Sequence, residues 1–183
     1  MKFILRLFFK LIAKVVVRCR GLYERSVAKE IFKGVGLVGE NIKVEGSGVL
    51  IEKEKLLIGK HVFIGRNFFI RAAGGVEIGD FTHISRNVTI HTAKHNIDGN
   101  LLPYDRDDIY KAVKIGRYVW IGMNVNILPG VIIGDGAVIG MGTTVHKDVP
   151  PNAIVVGAGQ RIVGERDKKR TSLLASQGRF LKK

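Results

Sequence analysis

The chain has 183 residues, 46% of them hydrophobic, which is enough for one real core and too short for two ordinary domains. A formal net charge of +14 points to an anionic partner, whether nucleic acid, anionic lipid or a phosphorylated small molecule, without choosing among them. The single cysteine, Cys19, excludes an intrachain disulfide framework and fits a reducing compartment.

Residues 1–33 read as a basic amphipathic helical segment. In MKFILRLFFKLIAKVVVRCR, Lys2, Arg6, Lys10, Lys14 and Arg18 recur four apart among Phe, Ile, Leu and Val, and no acid precedes Glu24. As a helix this is a drifting basic stripe against a wide apolar face, the pattern of an interfacial anchor on an anionic membrane. The charges interrupt the apolar run, which disfavours a transmembrane span, and no small-x-small site follows to mark a signal peptide. The expectation is therefore a protein inside the cell, held peripherally on the inner face of the membrane. The competing expectation is a helix packed on the rest of the fold or between subunits.

Residues 34–157 carry a period of six. It is weak at Val38, Val44 and Leu50, and clear at Ile58, Ile64 and Ile70. It slips by two residues at Ala72 to Gly75 and resumes at Ile78, Ile84 and Ile90. From residue 115 it is continuous through IGRYVW, IGMNVN, ILPGVI, IGDGAV, IGMGTT and VHKDVP. Ile115, Ile121, Ile127, Ile133, Ile139 and Val145 open these blocks, and the fifth residue of each is apolar or small. Such a pattern predicts an all-β fold, a parallel β-helix with three short strands per turn in which every sixth residue points inward. An α-helix needs spacings of three and four, and each Gly would cost it about 1 kcal/mol. The general rule for parallel crossovers favours right-handed connections, so the pattern does not fix the hand of the coil.

Between the two tracts, HTAKHNIDGNLLPYDRDDIYKA keeps no such phase until Val113 and Ile115 restore it, so a loop of about residues 94–112 is inserted. A long loop inside a compact repeat is usually functional. Asp98, Asp105, Asp107 and Asp108 crowd it together with Tyr104 and Tyr110. Carboxylates and aromatic rings in this mixture suit a sugar, so Asp98 and Tyr104 are candidate acceptor contacts. Beyond the repeat, residues 158–183 read as a short basic tail with Arg166, Lys168, Lys169 and Arg170, which could add attraction to anionic lipid.

Residues 115–152, IGRYVWIGMNVNILPGVIIGDGAVIGMGTTVHKDVPPN, closely resemble the C-terminal half of the hexapeptide-repeat O-acetyltransferases. That family includes galactoside, maltose and nodulation-factor enzymes and those acting on bacterial surface polysaccharides. The resemblance implies a left-handed coil, a homotrimer, acetyl-CoA as acyl donor, no metal, and a glycan acceptor. HTAKHNID resembles the family's short Thr-x-x-His segment, which places the catalytic general base at His95. Imidazole ordinarily titrates near 6.5, so it suits removal of a proton from a sugar hydroxyl attacking a thioester. His91 opens the same segment and reads as wall or substrate contact.

The resemblance also implies a donor groove. Trp120 stands where relatives keep an aromatic beside the cofactor arm, and Met123, Met141, His146 and Lys147 match groove positions. Met123 replaces a common serine and His146 a threonine, which changes the hydrogen bonding available there. Lys147 and Arg161 would meet cofactor phosphates. Gly159 replaces a usual proline in the closing segment. Arg71 stands where sugar acetyltransferases often have an acceptor-binding asparagine, an exchange that would suit an anionic acceptor.

Three other readings stay open. One is N-acetylation of an amino sugar on the same fold. A second is a zinc hydratase resembling the γ-class carbonic anhydrases, with His83, His91 and His95 as ligands. A third is a noncatalytic β-helical scaffold. No nucleic-acid-binding module is visible, so nucleic acid is not an expected partner.

Overall fold

The computed structural model describes residues 2–98, 103–157, 159–165 and 167–178. Helix α1 (Lys2–Ile31) leads into a parallel β-solenoid with three faces. The first rung is β1 (Leu37–Val38), β2 (Lys43–Val44) and β3 (Gly48–Ile51), and the second is β4 (Leu56–Ile58), β5 (Phe63–Ile64) and β6 (Phe68–Arg71). The third is β7 (Val76–Ile78), β8 (His83–Ile84) and β9 (Thr89–His91). A hairpin of β10 (Ala93–His95) and β11 (Asp108–Tyr110) interrupts the coil. Then come β12 (Val113–Ile115), β13 (Trp120–Ile121) and β14 (Asn126–Ile127), followed by β15 (Ile132–Ile133), β16 (Val138–Ile139) and β17 (Thr144–Val145).

Stacking joins β1, β4, β7, β12 and β15 on the first face, β2, β5, β8, β13 and β16 on the second, and β3, β6, β9, β14 and β17 on the third. A sixth, partial turn follows through the bridge of Ile133 with Val149 and strand β18 (Ala153–Val156) on the second face. The parallel β-solenoid is the fold that the period of six predicts.

The block-opening residues are the core. Ile58, Ile64, Ile70, Ile78, Ile84, Ile90, Ile115, Ile121, Ile127, Ile133, Ile139 and Val145 are all buried. The fifth residues Val119, Val125, Val131, Ala137, Thr143 and Val149 are buried too, so each rung contributes two layers of contact to its neighbours. Glycines after the aliphatics are required by the rung spacing. A Cβ on Gly79 would lie 2.6 Å from the Gly116 carbonyl carbon and 2.7 Å from the Arg117 nitrogen, both main-chain atoms. At the corner from second to third face, Asn67, Asn87 and Asn124 take positive φ, and Asn87 Nδ2 donates to Asn124 Oδ1 at 2.9 Å. Asparagine tolerates that left-handed conformation better than other side chains with a Cβ.

The first rung is less closed, with Val38 exposed and Val44 and Leu50 half-buried, which matches its weak sequence phase. The end of α1 and the residues just after it cover it. Ile31, Phe32 and Val35 pack against the core, with the Phe32 and Phe68 rings 6.0 Å apart, and Lys53 Nζ donates to the Ile31 carbonyl at 3.4 Å. Residues 5–20 of α1 are exposed throughout, so the helix is not packed along the solenoid.

The C-terminal segment differs from the expected simple tail. Strand β19 (Arg161–Glu165) folds back antiparallel on β18, and helix α2 (Lys168–Ser176) follows. The reversal covers a sheet edge that would otherwise present unpaired backbone groups at the end of the coil. Arg166, part of the basic run, lies outside the described residues.

Candidate active site

Three departures from the period of six fall at one corner of the solenoid, between the third and first faces. A short 3-10 turn (Lys53–Lys55) lies between β3 and β4, residues 72–75 lie between β6 and β7, and the β10–β11 hairpin lies between β9 and β12. They are stitched together. Lys55 Nζ donates to the Ala73 carbonyl at 2.9 Å. Thr92 is fully buried, its hydroxyl donating to the Arg71 carbonyl at 2.7 Å and accepting from the Gly74 amide at 2.9 Å. The Thr92 carbonyl in turn accepts from the Lys111 amide at 2.9 Å. Thr92 thus fixes the base of the hairpin to the turn beneath it.

On that base, antiparallel pairing sets Ala93 opposite Tyr110, Lys94 opposite Ile109 and His95 opposite Asp108. The cross-strand pair is in direct contact, with His95 Nδ1 2.8 Å from Asp108 Oδ1. The other carboxylate oxygen accepts from Arg71 Nη2 at 3.0 Å, and Arg71 Nε lies 3.7 Å from Glu52 Oε2. Tyr104 stacks on the imidazole, with centroids 3.8 Å apart and planes 6° from parallel. The Asp108 side chain is only 13% exposed whereas that of His95 is 53% exposed, so the carboxylate is screened and the imidazole faces solvent.

The electrostatics assign the protons. Partial burial pushes the Asp108 carboxyl up, but the hydrogen bonds from His95 and Arg71 outweigh it and hold it below its ordinary value. An ionised carboxylate only accepts, so His95 Nδ1 carries the hydrogen and donates it to Asp108. The Nε2 lone pair then points away from Asp108 as the available base. Arg71, itself paired with Glu52, holds the carboxylate from behind.

The structure therefore brings four of the singled-out residues together: Arg71, His95, Tyr104 and Asp108. The loop composition marked Asp108 only as one acid among several, because nothing in the sequence shows which acid returns opposite His95. The Arg71 guanidinium, expected at the acceptor, lies between two carboxylates of this chain, Asp108 and Glu52. His91 lies beside Arg71 in register, its ring 5.2 Å from that of Phe69. Asp98 is exposed near the hairpin tip, its amide donating to Asn96 Oδ1 at 3.1 Å. Residues 99–102 of the insertion lie outside the described residues.

The expected donor residues spread over the second face and the two edges of the third. Trp120 projects from β13 on the second face, 53% exposed, between His83 and Val138. At the next corner Met123 Sδ accepts from Arg86 Nε at 3.1 Å, and the Met123 carbonyl accepts from the Gly142 amide at 2.8 Å, stacking exposed Met141 one rung on. His146 and Lys147 follow β17 at the third face's other edge. Gln160, which the sequence did not single out, clamps them, its Oε1 accepting from the His146 amide at 2.9 Å and the Lys147 amide at 2.8 Å. Arg161 opens β19 next to that clamp, paired with Val156.

His83, His91 and His95 stand on the second face, the third face and the hairpin respectively, so they do not form a ligand set. Among the described residues no group of three or more His, Cys, Asp or Glu could hold a metal ion. Cys19 lies on the projecting helix, far along the chain from the hairpin.

Comparisons with known proteins agree with this architecture. Residues 112–147 match the family described as bacterial transferase hexapeptide (six repeats), and residues 55–91 match the hexapeptide repeat of succinyl-transferase. Galactoside O-acetyltransferase of Escherichia coli is 37% identical over 147 residues, covering 78% of this chain and 70% of its own. A relative from Staphylococcus aureus is 36% identical, and the chain spans 55% of its length. Among solved structures, a hexapeptide-repeat acetyltransferase from Vibrio cholerae complexed with acetyl coenzyme A is 30% identical with a TM-score of 0.69, covering 74% of each chain. Galactoside acetyltransferase in complex with coenzyme A is 29% identical with a TM-score of 0.70, covering 83% of each chain.

Proposed function

This chain belongs to the hexapeptide-repeat acetyltransferases, and on that premise we propose that it moves the acetyl group of acetyl-CoA directly onto a sugar hydroxyl with His95 as general base. The observation that carries the reading is the linked set His95, Asp108 and Arg71 at the one corner where the coil is interrupted. His95 Nε2 accepts the hydroxyl proton as the sugar oxygen bonds to the thioester carbonyl carbon. The resulting oxyanion collapses, the carbon–sulfur bond breaks, and the thiolate of CoA takes the proton back from the imidazolium. Asp108 keeps the productive tautomer and offsets the positive charge that develops on the ring.

Trp120, Met123, Met141, His146, Lys147 and Arg161 form the donor side in this reading. Trp120 and Met141 offer apolar surface to the pantetheine arm, and Lys147 and Arg161 offer charge to phosphates. Because Trp120 and Met141 are exposed on the outside of the solenoid, a second copy of the chain would complete the cleft, which is the basis for a trimeric assembly. Tyr104, His91 and Asp98 flank the hairpin as acceptor contacts, with Tyr104 also holding the plane of the base. The acceptor class is a surface glycan or its lipid-linked precursor, which the exposed basic and apolar helix preceding the first rung supports.

A thiol-release assay with acetyl-CoA against neutral, amino and acidic sugars tests the reaction, and His95→Ala tests the base. The substitution should lower kcat by about two to four powers of ten while the thermal melt stays unchanged. Full turnover by His95→Ala, or no thiol release with any sugar of the panel, would sink this reading.

A further inference from the structure

We propose that α1 is an in-plane anchor that lies in the interface of an anionic bilayer, its apolar side sunk among the acyl chains and its basic stripe at the headgroups. At about 100° per residue, Leu5, Phe8, Leu11, Ile12, Val15 and Val16 fall within one arc of about 140°. All six are exposed, with Phe8 at 56% and Leu11 at 62%. Arg6, Lys10 and Lys14 occupy the opposite side, drifting about 40° per step so that Arg18 comes to border the apolar arc, with Leu7 and Val17 between them. Scattered exposed apolar residues need no explanation, but a contiguous stripe of this length on one helix does.

Charge and shape choose the occupant. Every charge on the stripe is basic, and no acid precedes Glu24, so a helix-to-helix pair of two copies would set like charges side by side. The apolar arc is also wider than the narrow seam of a coiled coil and fits the breadth of an interfacial helix. Among the described residues no helix is long and apolar enough to cross a membrane, so lying on the surface is the remaining membrane mode. The helix joins the coil against β3, on the face that carries β9 two rungs later. At about 4.8 Å per rung, the hairpin of His95 is then roughly 10 Å along the coil from the anchor's attachment. The benefit to a membrane-borne acceptor rests on the proposed acetyltransfer, whereas the anchoring itself does not.

The test is co-sedimentation of the 183-residue chain with vesicles of phosphatidylcholine, with and without phosphatidylglycerol. Binding should need phosphatidylglycerol and fall as salt rises from 0.1 M towards 1 M, where screening shortens from about 10 Å to about 3 Å. Each basic side chain near the surface is worth about fivefold in partitioning, so replacing Arg6, Lys10, Lys14 and Arg18 by Gln should weaken it several hundredfold, on the order of fivefold to the fourth power. Phe8→Glu with Val15→Glu should abolish it, while the thermal melt of the solenoid and thiol release from acetyl-CoA with a soluble sugar stay unchanged. Three outcomes overturn the proposal: no association with anionic vesicles, association that ignores Phe8→Glu/Val15→Glu, or an oligomer broken by those changes that never binds vesicles. Loss of sugar acetylation with vesicle binding intact would count against the proposed reaction and leave the anchor standing.

Discussion

Asp108 offers the sharpest test of the site, and Asp108→Asn is the informative perturbation because it keeps the shape and changes the hydrogen-bond polarity. The carboxylate accepts on both sides, from His95 Nδ1 at 2.8 Å and from Arg71 Nη2 at 3.0 Å. An amide has one accepting and one donating end. With its oxygen towards His95, its NH2 faces the Arg71 guanidinium, donor against donor. Turned over, it donates to Nδ1 and drives the imidazole proton to Nε2, which removes the base. Hydrogen bonds to charged groups are worth roughly one to two powers of ten in an equilibrium constant, and the exposure of His95 favours the lower part of that range. We therefore expect kcat to fall about 10- to 100-fold in Asp108→Asn, at least as far as in Asp108→Ala, with the KM for acetyl-CoA unchanged. Thiol release measures the rate, and the 15N shifts of the His95 imidazole report the tautomer. Wild-type kcat in Asp108→Asn with the Nδ1–H tautomer retained would refute the positioning argument.

Trp120→Ala should raise the KM for acetyl-CoA by about tenfold or more, the scale of a lost aromatic contact, while stability stays within about 0.5 kcal/mol because the ring is half exposed in the free chain. An unchanged KM would show that Trp120 is only a surface residue. Gly79→Ala places a methyl against the backbone of the next rung, so it should destabilise by about 1–3 kcal/mol or more in chemical denaturation. The acid dependence of stability follows from Asp108. Its folded-state value is depressed below the ordinary 3.8, so its contribution is fully present above that value and is lost as pH falls through the lower folded one. Stability measured by denaturation should thus fall more steeply from neutral pH into the acid limb for wild type than for Asp108→Asn, and an identical dependence on pH would contradict the assignment.

The sequence by itself determined the coil. Inward and outward alternation is a local property of each six-residue block, so Ile115 to Val145 announced both the strands and the core that the structure contains. The same periodicity exposed the insertion by its absence between Ile90 and Val113, and the spacing of Arg6 to Arg18 was legible as an amphipathic helix. Contacts that cross the chain were not legible. His95 meets an acid 13 residues on, and that acid meets an arginine 37 residues back. Which acid pairs depends on the hairpin register that Thr92 anchors, not on any spacing. The structure likewise turned the slip at Ala72 to Gly75 into the floor of the candidate site and part of the basic tail into a strand closing β18. It also left α1 uncovered along residues 5–20, while Ile31, Phe32 and Val35 find apolar partners at the end of the coil. Periodic burial is written residue by residue, whereas a hydrogen-bond partner or a covering surface exists only once distant segments have been brought together.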